Sequence, residues 1–184
     1  MILIKDLVEL SGKVGSTTKK KEKVSLLAGF LPRAKGEEIG LAVRYLSGQL
    51  LQGRLGIGWA TLQEVFQDLS GHPRSPSLIE IDCSFKGISL EKGAGSSERR
   101  IRLLRDIFSS LQQDEREFLT GLILGEIRQG ALEGLVLEAI AQASTLPVDR
   151  LRQSLMFSRD IGHVAQVALV PLGSGYLPDG RAAL

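Results

Sequence analysis

The sequence predicts an all-α fold, a compact multi-helix domain built from two pseudo-symmetric helical repeats. Three observations lead there. Apolar residues keep a helical spacing along most of the chain. Residues 23–60 recur without a gap 77 positions downstream. Val24, Leu26, Leu27 and Phe30 answer to Ile101, Leu103, Leu104 and Ile107, and Glu38 answers to Glu115. Gly48, Gln52, Gly53 and Leu55 answer to Gly125, Gln129, Gly130 and Leu132. Finally, this period exceeds the about 20 to 50 residues of solenoid repeats, and two copies are too few for an array, so a duplication inside one domain fits. With 184 residues and 43% apolar content the chain can bury a sizeable core.

Each element follows in order. Leu3 to Leu10 reads as a first helix ended by Ser11-Gly12, with Val14 to Thr18 as a turn offering hydroxyl N-caps. From Lys19, Val24, Leu27, Phe30 and Leu31 keep helical spacing until Pro32. Glu37 to Leu50 is amphipathic, with Ile39, Ala42, Val43 and Leu46 on one side. Gln52 to Gly58 is its exit turn, Trp59 to Leu69 the next helix, and Ser70 to Ser77 a loop between the halves. Residues 78–85, LIEIDCSF, alternate as a strand would. A lone strand has no partner, so a brief extended piece running into a helix is expected there. Gly93 to Ser97 forms the second glycine and serine turn, followed by helices at about 98–111, 114–128 and 132–143. Pro147 starts a stretch through Met156, then Ser158 to Leu169. The organisation is a helical domain over 1–170, with halves at about 1–77 and 78–155, and an irregular tail or linker over 171–184.

Composition excludes several classes. Apolar stretches are interrupted well before 18 residues, and Lys5, Asp6 and Glu9 stand where a signal peptide needs apolar residues, so a cytoplasmic protein is expected. A single cysteine, Cys83, rules out an internal disulfide and reads as a small buried or half-buried hydrophobe. His72 and His163 have no carboxylate or cysteine at metal spacing, Asp114 and Glu115 read as helix-start acids, and Trp59, which could stack on a sugar or base, reads first as a core anchor because it follows a glycine turn at an apolar helix position. No catalytic or metal residue is assigned.

Net charge is only +2, yet Lys13, Lys19, Lys20, Lys21, Lys23, Arg33 and Lys35 crowd the first 35 residues. Arg99, Arg100, Arg102 and Arg105 form a second basic run at the same repeat phase. Each repeat also carries a glycine turn between helices, GQLLQGRLGIG and GEIRQGALEGL. Glycine allows close backbone approach, and the helix that follows offers unpaired amides and partial positive charge, so a phosphate can sit there. Helix-hairpin-helix elements grip the DNA backbone by this logic, without reading base sequence.

AVRYLSGQLLQGRLGIGWATL at 42–62, with EREFLTGLILGEIRQGALEGLVLEAIAQA at 115–143, resembles the N-terminal DNA-binding domain of ATP-dependent DNA ligases of bacterial and archaeal type. The similarity covers about residues 1 to 170. The resemblance implies an all-helical domain on the minor groove around a nick, helping the ligase close around the duplex, in DNA repair, replication and recombination. It assigns backbone contacts to Thr17, Thr18, Lys19 and Lys20, and at the second copy to Ser96 and Ser97. Gly53, Arg54, Gly56 and Gly58 match one minor-groove turn, and Arg128, Gln129 and Gly130 the other. Arg54 corresponds to Ala131 and Arg128 to Leu51, so the two copies would place their guanidinium groups differently.

The family's chemistry needs a lysine nucleophile in a Lys-x-Asp-Gly string. None occurs here, and Leu177 holds the lysine position in Leu177-Pro178-Asp179-Gly180. The segment is therefore expected to bind duplex or nicked DNA and not to seal it unaided. ATP and Mg are implied for the parent ligase, whose catalytic core would be the second partner, and location is implied to be cytoplasmic and nucleoid-associated. The alternative is a helical protein-interaction scaffold. Binding requires Lys19, Lys20, Arg54 and Arg128 to converge on one face, and a scaffold leaves them dispersed.

Overall fold

The computed structural model of the chain describes residues 1–127 and 129–170, with the side chains of 129–131 outside that description. Among the described residues the regular structure is helical, as the apolar spacing predicts.

The first half holds α1 (Ile4–Ser16), α2 (Lys20–Phe30), α3 (Glu37–Leu46) and α4 (Trp59–Phe66). Helix α1 does not stop at Gly12. Ile4, Leu7, Leu10 and Val14 share one buried stripe, and carrying the helix through Gly12 and Gly15 is what buries Val14. A 3-10 turn at Leu31–Arg33, forced by Pro32, ends α2. Helix α3 is buried from Glu38 to Leu46. It ends four residues earlier than its apolar pattern suggests, because Gly48 adopts φ 71° and the Gln49 N–H turns back to the Arg44 carbonyl at 2.8 Å.

The second half holds α5 (Leu78–Leu90), α6 (Ser96–Ser109), α7 (Gln113–Leu124) and α8 (Gln129–Ser144). Residues 78–85 are helical throughout. Leu78, Ile81, Phe85 and Ile88 form a fully buried stripe, and the strand-like alternation arises because Ile79 points outward. The extended piece lies just before them, where Ser77 bridges Leu3. Cys83 is exposed on α5, not buried, since it falls off that stripe. Helix α7 closes like α3, with Gly125 at φ 70° and the Glu126 N–H on the Gly121 carbonyl at 2.9 Å. It therefore ends at Leu124 instead of continuing to 128.

Two further helices, α9 (Val148–Ser158) and α10 (Ile161–Leu169), complete the described fold. Asp160 caps α10 by accepting from the Gly162 and His163 N–H groups at 2.9 and 3.2 Å. Helix α10 lies along α3, where Arg44 reaches Asp160 through two bonds of 3.0 and 2.7 Å. Elsewhere α1 packs on α2 and α7, α5 on α6 and α3, α2 on α8, and α4 on α6. These six pairings interchange when α1–α4 are exchanged with α5–α8. The tail at 171–184, with its Asp179-Gly180 string, lies outside the described residues.

Candidate nucleic-acid interface

Residues 47–58 join α3 to α4 and are pinned from three sides. Leu55 and Ile57 are buried in the core. Gln52 Nε2 donates to Asp82 Oδ1 of α5 at 2.8 Å, and Gln49 Nε2 donates to Glu133 Oε2 of α8 at 2.9 Å. With Leu55 and Ile57 turned inward, Gly53, Arg54, Gly56 and Gly58 face solvent. Gly53 and Gly56 both sit at φ 68°, a region glycine enters without strain. Gly58, at φ −103°, is extended and serves as the N-cap of α4. Tyr45 is buried in α3 close to this loop, and burial, then the Asp82 charge, raises its hydroxyl pKa well above the ordinary value.

The first glycine loop meets the end of α7. A hollow of about 610 Å³ is lined by residues of the first loop, Gly53, Arg54 and Gly56 among them, and by Leu122 to Gly125 at the end of α7. Arg128 lies outside the described residues. Gln129 and Gly130 open the first turn of α8, with side chains outside the description.

The start of α6 lies beside the first glycine loop, and the start of α2 is tied to α8, the helix that also holds Gln49. Helix α2 begins at an exposed turn, Thr18, Lys19 and Lys20. Its N-cap is Lys19, not a hydroxyl residue. Thr17 acts one step earlier, accepting from the Lys19 N–H at 3.2 Å while its hydroxyl donates to Glu22 at 2.7 Å. Lys20 pairs with Glu138 of α8 at 2.7 Å. Glu138 is five residues, roughly 7.5 Å of helix rise, beyond the Glu133 that holds Gln49. At the other turn Gly95, φ 71°, is the N-cap of α6 and offers no side chain, with Ser96 half-buried and Ser97 exposed. A Cβ on Gly56 would stand 3.9 Å from Arg100 Nη1, which brings the first glycine loop beside the start of α6.

Two features escape the sequence reading. Much of the second basic run is spent on structure. The Arg99 guanidinium donates to the Ala94 and Lys92 carbonyls at 3.0 and 3.2 Å and to the Glu91 carboxylate, Arg100 donates to the Glu91 carbonyl at 2.8 Å, and Arg105 faces Asp68 at 3.6 Å. Trp59 is not a core anchor: it is 53% exposed, because α4 fills the core with Leu62 and Val65 and begins with Trp59 at its rim. Among the described residues no group of three or more His, Cys, Asp or Glu side chains gathers as a metal site, and no helix is long and apolar enough to cross a membrane.

A family model described as DNA ligase N terminus matches residues 72–141, from the inter-half loop through most of α8. A probable DNA ligase of Saccharopolyspora erythraea is 40% identical over 169 residues, 92% of this chain and 33% of the relative. The chain belongs with the N-terminal domains of DNA ligases. Further probable DNA ligases, from Rhodococcus opacus and Anaeromyxobacter sp., are 38% and 36% identical over 85% and 92% of the chain. The chain spans about a third of the length of these curated relatives. As an N-terminal ligase domain it is not favoured as an unrelated protein-interaction scaffold.

Proposed function

We propose that this domain binds duplex or nicked DNA without sequence preference, through phosphates and the minor groove, as the clamp module of an ATP-dependent DNA ligase. The observation that carries the reading is the meeting of the first glycine loop with the end of α7 at Gly125 over one hollow, with Arg54 on its wall. A duplex presents a regular row of phosphates, and an exposed arginine beside exposed glycines, whose missing side chains let a backbone approach closely, suits it. The turns at Thr17 to Lys20 and at Ser96 and Ser97 would extend the track on either side, and Arg128, Gln129 and Gly130 would serve the second strand. Adenylation, with ATP and Mg, belongs in this reading to a catalytic core elsewhere in the protein, consistent with the missing Lys-x-Asp-Gly string. Repair, replication and recombination are the processes such a ligase would serve, in the cytoplasm at the nucleoid.

Fluorescence anisotropy of a labelled nicked duplex, titrated at several salt concentrations beside an intact control, tests this. Coverage of about six phosphates gives a log–log salt slope of about −5. Absence of binding at low salt would reject the reading.

A further inference from the structure

We infer that Trp59 is a DNA contact, its indole packing on deoxyribose rings in the minor groove beside the first glycine turn; this rests on the DNA-binding reading above. Three features of the residue carry the inference. It is the first residue of α4, directly after the Gly53 to Gly58 turn, so a duplex seated on that turn passes the indole. It is half exposed yet held in place. The Phe66 ring meets it edge-on, with centroids 6.4 Å apart at 73°, and Phe66 in turn packs on the fully buried Phe108 at 5.5 Å. A flat side chain with two torsions, already braced, loses little freedom when a second surface covers it.

The surroundings favour nucleic acid as that surface. A Cβ on Gly58 would meet nothing within 4 Å, so the backbone just before the exposed indole is open to a partner. The indole lines a hollow of about 410 Å³ with Phe66, Leu69, Arg116, Thr120, Gln113 and Glu117; Arg116 Nε is held by the Phe108 carbonyl at 3.0 Å and the Glu117 carboxylate by Gln113 at 3.0 Å, leaving an apolar floor with polar walls of both signs. Arg54 lies five residues before Trp59, in the loop that leads into α4. Apolar and aromatic side chains flanked by arginine are the means by which minor-groove and single-strand binders hold sugars and bases regardless of sequence.

Trp59 is the single tryptophan of the chain, so emission excited at its red edge, where the two tyrosines do not absorb, reports this residue alone. Titrating the 184-residue chain with a nicked duplex should quench or shift the indole emission and reduce iodide quenching about twofold. Trp59→Ala should weaken binding by about 5- to 10-fold, within the range of one aromatic contact, and leave the salt slope unchanged because no phosphate contact is removed. Trp59→Phe should retain most of the affinity. Anisotropy that reports binding while indole emission and iodide access stay constant overturns the inference and leaves the DNA-binding reading standing. Absence of any anisotropy change removes both.

Discussion

Leu3 and Ser77 face each other in an antiparallel bridge, with the Ile4 N–H donating to the Pro76 carbonyl at 2.9 Å and the Leu78 N–H donating to the Ile2 carbonyl at 3.1 Å. The two bonds are reciprocal, each the image of the other when the segments are exchanged. Leu3 and Ser77 are also the N-caps of α1 and α5, and the acid three residues on, Asp6 or Glu80, accepts from the N-cap N–H at 2.9 or 2.8 Å. At α5 the Ser77 hydroxyl adds a bond from the Glu80 N–H at 3.2 Å, completing a capping box. Ser77→Ala should cost about 1 kcal/mol and lower the thermal midpoint by about 2–4 °C in a calorimetric melt.

The seam between α3 and α10 depends on two missing side chains. Arg44 runs between Gly40 and Gly162, and a Cβ on Gly162 would stand 2.6 Å from Arg44 Cζ and 2.7 Å from the Gly40 carbonyl. That carbonyl cannot swing aside. Gly162→Ala should therefore destabilise by about 1–3 kcal/mol despite a gain in helix propensity of about 1 kcal/mol. Gly12→Ala, inside α1 with open space at its Cβ, should instead stabilise by about 0.5–1 kcal/mol. Denaturant unfolding of the two variants gives opposite shifts if packing decides both.

Asp160 makes the same seam sensitive to acid. Burial raises its pKa, but the Arg44 guanidinium and the His163 and Gly162 amides outweigh burial, and the net pKa lies below the ordinary carboxylate value. A lowered folded-state pKa contributes stability that is present above the unfolded value of about 3.9 and is lost as pH falls through the folded value. Glu80 acts in the same direction, through the Ser77 N–H and hydroxyl. Asp160→Asn should be less stable at neutral pH and lose less on acidification, and urea unfolding from pH 7 to about pH 2 reads both. An unchanged acid profile would sink the assignment.

The sequence periodicity of 77 is legible over the stretch that holds α2 with α6 and α3 with α7. It is illegible at α1 and α5, because Leu3 and Ser77, like Asp6 and Glu80, are 74 positions apart and not 77. The linker from α1 to α2 is shorter than that from α5 to α6, so a gapless comparison loses register. The apolar pattern runs on to Leu50 and to 128, but the helices end earlier because Gly48 and Gly125 stop them before the more conspicuous glycines that follow. At the candidate site, Gly53 and Gly56 could be read from composition. Ion pairing could not: only packing puts Lys20 on Glu138 and spends Arg99 and Arg100 on the α5–α6 loop.

That pairing separates the basic residues in their expected effect on DNA. Arg54 is exposed on the wall of the shared hollow, so Arg54→Ala should weaken binding about equally for all sequences and make the salt slope shallower by about 1. Lys20 must leave Glu138 to reach a phosphate, which offsets part of the gain, and Lys20→Ala should change affinity less than Arg54→Ala. Glu138→Gln removes the competing carboxylate and should tighten binding, most visibly at low salt where exposed charges are least screened. Anisotropy titrations of the three variants against two unrelated duplex sequences decide the matter. If Arg54→Ala discriminates strongly between the sequences, the arginine reads bases, and the phosphate-clamp geometry is wrong at that turn.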